Sequence, residues 1–132
     1  MMFRICQFAL ILAVLLFHGC GGAERPPLAR VTGIVTVGGT PLADAKVTFT
    51  PEEGRPSFGN TDSNGRFELV YTADSKGAML GKHIARIEPQ TTDDNLSEEE
   101  DQAQRAKFPA AAQDGSLTYE VKEGSNNFEI KL

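Results

Sequence analysis

The 132-residue sequence has no tryptophan, two tyrosines, two cysteines and two histidines. Each shortage excludes something. Without Trp, a core has to be built from the eight Phe and the aliphatic side chains. Both cysteines, Cys6 and Cys20, lie in the N-terminal stretch. The rest of the chain therefore has no thiol for a disulfide, a metal or a nucleophile. His18 lies in the same stretch, which leaves His83 as the downstream imidazole. Catalytic triads and histidine-based metal sites have that one candidate. Neither Gly-x-Ser-x-Gly nor His-Glu-x-x-His occurs. Net charge is -5 with no visible basic patch, so nucleic acid is not an expected partner. No cofactor is expected. With 40% apolar and 23% charged residues, the composition is that of a globular chain.

What is present begins with MMFRICQFALILAVLLFHGC. Arg4 gives a positive start, and Ile5 to Phe17 is apolar except for Gln7. That run is too short for a bilayer span, which needs roughly 20 residues, and it reads as a signal peptide over 1–19 in helical form. The end, Leu16-Phe17-His18-Gly19-Cys20-Gly21-Gly22, resembles a bacterial lipobox. Gly19 fits that pattern, while Phe17 and His18 stand where Leu and a small residue are usual. The resemblance implies acylation of Cys20, a membrane partner through that lipid, and export to the cell envelope with the outer membrane favoured. Secretion without lipid and an uncleaved anchor are the alternatives. Residues 20–29, with two Gly after Cys20 and the pair Pro26-Pro27, read as an extended tether.

From residue 30 to 132 the rhythm is two-residue. Strands are expected at about 30–37, 45–50, 58–61, 66–72, 82–88, 117–121 and 128–132, the last two as a C-terminal hairpin. Gly38-Gly39-Thr40-Pro41 and Asp62-Ser63-Asn64-Gly65 read as turns, the second with positive φ at Asn64 and Gly65. Ser97-Glu98-Glu99-Glu100 fits a capping box, so a short helix is expected over 98–106. The fold class is all-β, an antiparallel seven-stranded sandwich. The expected core is Val31, Val35, Val37, Val47, Phe49, Phe67, Leu69, Ile87, Leu117, Tyr119, Val121, Phe128, Ile130 and Leu132.

Val31-Thr-Gly-Ile-Val35, Gly39-Thr-Pro-Leu42, Ala45-Lys-Val-Thr-Phe49, Thr61-Asp-Ser-Asn-Gly-Arg-Phe67 and Gly81-Lys-His-Ile-Ala-Arg-Ile87 together resemble the carboxypeptidase-regulatory-like domain. The closing stretch, with Phe108-Pro-Ala110 and Gly124-Ser-Asn-Asn-Phe128, resembles small exported lipoproteins of planctomycete-type bacteria. The likeness covers about 31–132 and implies a transthyretin-like or immunoglobulin-like sandwich related to Cna-B-type modules. Its motifs mark turns and core positions, so they speak to fold more than to activity.

The remaining constellations have modest readings. His83 falls at an inward strand position and reads as a core histidine, with a ligand role as the alternative. Asp62-Ser-Asn64-Gly65 reads as a turn rather than a calcium loop, because the further acidic ligands are missing. The acidic run Asp93 to Asp101 reads as a solvated helix or loop, with weak Ca²⁺ binding or docking of a basic partner as alternatives. The Cna-B likeness raises Lys46, Glu68 and Asn127 as possible members of an isopeptide set. A carbohydrate binder predicts an exposed aromatic platform, for which Phe58, Tyr71, Phe108 and Tyr119 are the candidates. The function expected is a lipid-anchored, non-enzymatic envelope module meeting protein or glycan. The alternative is a carbohydrate- or small-ligand-binding domain at the cell surface.

Overall fold

The computed structural model describes residues 24–90 and 95–132. The signal peptide with its expected helix, Cys20, the start of the tether, and Asp93 and Asp94 lie outside the described residues. Among the described residues eleven strands form, most of them short. They are β1 (Leu28–Val37), β2 (Thr40–Pro41), β3 (Ala45–Pro51), β4 (Ser57–Asn60), β5 (Arg66–Glu68) and β6 (Val70–Thr72), then β7 (Ser75–Lys76), β8 (Ala78–Met79), β9 (Gly81–Pro89), β10 (Thr118–Val121) and β11 (Ser125–Lys131). Between β9 and β10 lie helix α1 (Glu98–Arg105) and a single 3-10 turn (Ala110–Ala112).

The strands make two sheets packed as a sandwich, the all-β class expected. In the first sheet β1 is central. β11 runs along one side of it, and β8, β5 and β2 follow one another along the other. The second sheet has the order β10-β9-β3-β4-β6-β7. All pairings are antiparallel except β1 with β11, which is parallel from Arg30↔Ser125 to Thr36↔Lys131.

That parallel pair corrects the expected C-terminal hairpin. β10 pairs with β9 in the second sheet, and β11 crosses to the first. The cause lies at the corner. Asn126 accepts from the Lys122 N–H at 3.0 Å and donates to the Lys122 carbonyl at 2.8 Å and the Arg30 carbonyl at 3.3 Å. One side chain thus fills the backbone partners that a hairpin would have used, and Gly124, at φ 93, turns the chain.

The expected strand 66–72 is likewise divided. Arg66–Glu68 belongs to the first sheet and Val70 pairs with Phe58 in the second. Leu69 sits at the crossing, fully buried. Its N–H donates to the Val31 carbonyl at 2.9 Å and its carbonyl accepts from Gly77 at 2.7 Å. The crossing brings β5 close against β4. A Cβ on Gly59 would stand 2.6 Å from the Glu68 carbonyl oxygen, so this position takes only glycine without displacing backbone.

Alternation decides which face of each strand is inward. Val31 and Val35, Ala45, Val47 and Phe49, and His83, Ala85 and Ile87 are all buried, as are Phe67, Leu69, Val121 and Ile130. Leu117, Tyr119, Phe128 and Leu132 pack against this core half-buried, and Val37 is half-buried near the end of β1. Ala29, Ala78 and Ala112 complete the core beyond the expected set. α1 buries no residue. It forms because Ser97 Oγ accepts from the Glu100 N–H at 3.3 Å while the Glu100 carboxylate accepts from the Ser97 N–H at 3.0 Å, the expected capping box. Four acids in its first turn and Arg105 in its last also suit the helix dipole.

The crossing yields a test. Gly59→Ala is expected to lower stability by roughly 1–3 kcal/mol, because the added methyl must push backbone apart. Urea unfolding of the variant against the parent reads this out, and an unchanged midpoint would remove the close-approach argument.

Candidate functional site

His83 was the leading chemical candidate, and its surroundings make it structural. It is 1% exposed on the inner face of β9, with its ring centroid 5.9 Å from that of Phe49. Its Nε2 lies 2.7 Å from the Met79 carbonyl oxygen. A carbonyl only accepts, so Nε2 carries a hydrogen and donates it. Nδ1 has no partner among the described residues. A ring walled in this way has no open approach for a substrate.

The turn at Asp62 is satisfied internally. Asp62 Oδ1 accepts from the N–H groups of Asn64 at 2.8 Å and Arg66 at 2.9 Å. Gly65 takes positive φ, 73°, and Asn64 does not, which corrects the expected pair. The turn also joins β4 and β5, which lie in different sheets, and so closes no hairpin. In the acidic segment, Glu100 is engaged by Ser97, and Asp101 accepts from Arg105 at 2.9 Å. Among the described residues no group of three or more His, Cys, Asp or Glu is placed to hold a metal ion.

The three residues raised for an isopeptide bond do not meet. Lys46 lies on the outer face of the second sheet, its Nζ 4.7 Å from the Phe58 ring centroid. Glu68 and Asn127 lie on the outer face of the first sheet, on opposite sides of Thr32. The aromatic candidates scatter too. Phe58 is 38% exposed but carries Lys46 over it. Tyr71 has the Arg55 guanidinium 5.5 Å from its ring. Phe108 and Tyr119 pack on the core. Tyr119 stacks on Phe49 at 5.6 Å, and burial raises its hydroxyl above the ordinary value.

A feature that sequence reasoning missed lies on the outer face of the first sheet. It is an open groove of about 500 Å³, lined by Thr32, Gly33, Ile34, Arg66, Phe67, Asn127 and Glu129. The register explains its walls. Ile34 is paired with Arg66 on one side and Glu129 on the other. Thr32 is paired with Glu68 and Asn127 in the adjacent row. Arg66 and Glu129 therefore stand two strand spacings apart, about 10 Å at Cα, with the shorter Ile34 and Thr32 as the floor between them. A smaller hollow of about 290 Å³ lies between Arg25–Leu28 and Tyr71–Ser75.

The charged groups along this face differ in what they already hold. Glu68 receives Arg30 Nε at 3.1 Å and Lys76 Nζ at 3.3 Å, and the Lys76 contact above all holds its carboxyl below the usual range. Glu129 has Lys131 Nζ at 3.3 Å. The side chains of Arg66 and Asn127 make no hydrogen bond or ion pair among the described residues.

Comparison with protein-family models, with curated proteins and with solved structures finds no match.

The depressed carboxylates set an acid limit. Glu68 is lowered by Lys76 and Arg30, Glu100 by the Ser97 N–H and hydroxyl, and Asp114 by Ser116. Each binds its proton less readily folded than unfolded. Their contribution is therefore whole at neutral pH and is lost as pH falls through and below the ordinary carboxylate range. The unfolding midpoint is expected to fall in that window, less steeply for Glu68→Gln. Urea midpoints measured from neutral to strongly acidic pH test the sign.

Proposed function

We propose that this chain is a non-catalytic module of the cell envelope, carried on an acyl group at Cys20 and meeting a protein or glycan through its sandwich domain. The observation that carries the reading is the fate of His83. The one imidazole downstream of the N-terminal segment is spent on packing against Phe49 and on the Met79 carbonyl. The groove is lined by recognition groups and holds no nucleophile paired with a base.

The path of the chain suits an anchor. β1 begins at Leu28, so the last two residues of the expected tether belong to the strand, with Ala29 buried in the core, and β1 runs from there toward Gly38. The turn 62–65, the end of β9 and α1 lie toward the Gly38 end, since β5 starts and β9 finishes there. A lipid at Cys20 would leave those loops and the outer faces of both sheets clear of the bilayer. Two or more acyl chains are needed for a stable hold. The carboxypeptidase-regulatory-like kinship belongs to this proposal. It is supported by where its motif residues fall, in β1, β3 and β9 and on the turn into β5.

A second reading, a carbohydrate- or small-ligand-binding domain, is favoured by the groove between Arg66 and Glu129. It does not need the aromatic platform first expected of it.

Mass spectrometry of the mature N-terminus tests the anchor. Expressed in a bacterium with lipoprotein processing, the chain is expected to begin at an acylated Cys20 and to fractionate with membranes. Cys20→Ala is expected to abolish the acyl mass and release the protein from that fraction. An unacylated parent would overturn the anchor.

A further inference from the structure

We propose that the groove on the outer face of the first sheet binds an anionic sugar, a pyranose ring carrying one carboxylate and several hydroxyls. The inference rests on the second reading above and is independent of the anchor.

The argument starts from which polar groups are already used. On this face Glu68 is neutralised by Arg30 and Lys76, and Glu129 by Lys131. Two other polar side chains of the face are not used. Arg66 and Asn127 present side chains with no partner among the described residues, and both line the groove. A guanidinium without a carboxylate is an open fork for one, since its paired N–H donors match a carboxylate's two oxygens. Asn127 offers a carbonyl and an amide, Thr32 a hydroxyl, and Glu129 a carboxylate that accepts from hydroxyls. Ile34 lies between the walls and can meet the C–H face of a ring.

Charge decides the orientation. The cationic wall is Arg66 on β5 and the acidic wall is Glu129 on β11. A ligand carboxylate belongs at Arg66, while the hydroxyl-bearing side faces Glu129 and Asn127. Glu129 does not repel such an anion strongly, because Lys131 lies 3.3 Å from it. The volume, about 500 Å³, lies in the range of small-ligand sites. The floor belongs to β1, which is paired along both sides, so the site is held in place before anything binds.

The test titrates D-glucuronate into the ¹⁵N-labelled full chain, with D-glucose and acetate as controls. Saturable shifts are expected at the amides of Thr32, Gly33, Ile34 and Asn127 with glucuronate, and much weaker ones with either control. Arg66→Ala should weaken binding roughly tenfold or more, since a charge-assisted hydrogen bond is lost. Arg66→Lys keeps the charge without the fork and should fall between. Asn127→Ala should also weaken binding. Both side chains are exposed and unpartnered, so the thermal midpoints of these variants should match the parent. No shift with glucuronate, equal binding of glucose, equal binding of acetate, or undiminished binding by Arg66→Ala would each overturn the proposal. Because the lipid takes no part, acylated protein that ignores glucuronate would defeat this inference alone, and unacylated protein that binds it would defeat the anchor alone.

Discussion

The ring of Phe49 is the contact on which the two sheets depend. It projects from β3 in the second sheet and meets Phe67 at 6.3 Å and Phe128 at 5.8 Å, both from the first. Within its own sheet it touches His83 and Tyr119. Aromatic pairs of this kind contribute about 0.5–1.5 kcal/mol each beyond the area they bury. Room for them comes from Gly33. Phe67 and Phe128 are its register partners, and a Cβ there would lie 2.6 Å from the Phe67 ring. The central strand gives up one side chain so that a larger ring from its neighbour can reach across. With no Trp in the chain, this cluster supplies the bulk that such a core needs.

The two-residue rhythm carried the sandwich because burial of one face is a local property. Val31 and Val35, Val47 and Phe49, and His83 and Ile87 declare their side of the sheet without reference to any other strand. Rhythm says nothing about which strand lies alongside. β10 and β11, joined by three residues, read as a hairpin, and the pairing of each with a different strand, tied at the corner by Asn126, shows that the chain changes sheets there. The same blindness hides the crossing at Leu69, which looks like any inward residue of one long strand. Ala29 and Ala78 went unnoticed for a different reason. They are opposed in register, where the two strands meet with short side chains. A methyl group gives too weak a hydrophobic signal to stand out in a pattern.

The groove could not be read from the chain because its parts lie at residues 32–34, 66–67, 127 and 129. Their meeting depends on the parallel seat of β11 beside β1. Had β10 and β11 formed a hairpin, Asn127 and Glu129 would have lain in the second sheet, far from Arg66. The topological surprise and the candidate site therefore have one cause.

The division between inside and outside follows from the same economy. Among the described residues the interior takes most of the bulky side chains, including the imidazole and the Tyr119 ring, while Phe58, Val70 and Ile84 stay exposed. The outer faces of the two sheets are not alike. On the second sheet the exposed ring of Phe58 is already covered by Lys46, so cation and ring satisfy each other. On the first sheet the nearest anion to Arg66 along its own strand, Glu68, is held by two other cations. The unmatched guanidinium thus arises from a local surplus of positive charge in a chain that is negative overall. The strands that carry that surplus are already paired, so an anion taken up there would order the Arg66 and Asn127 side chains without having to order the backbone beneath them.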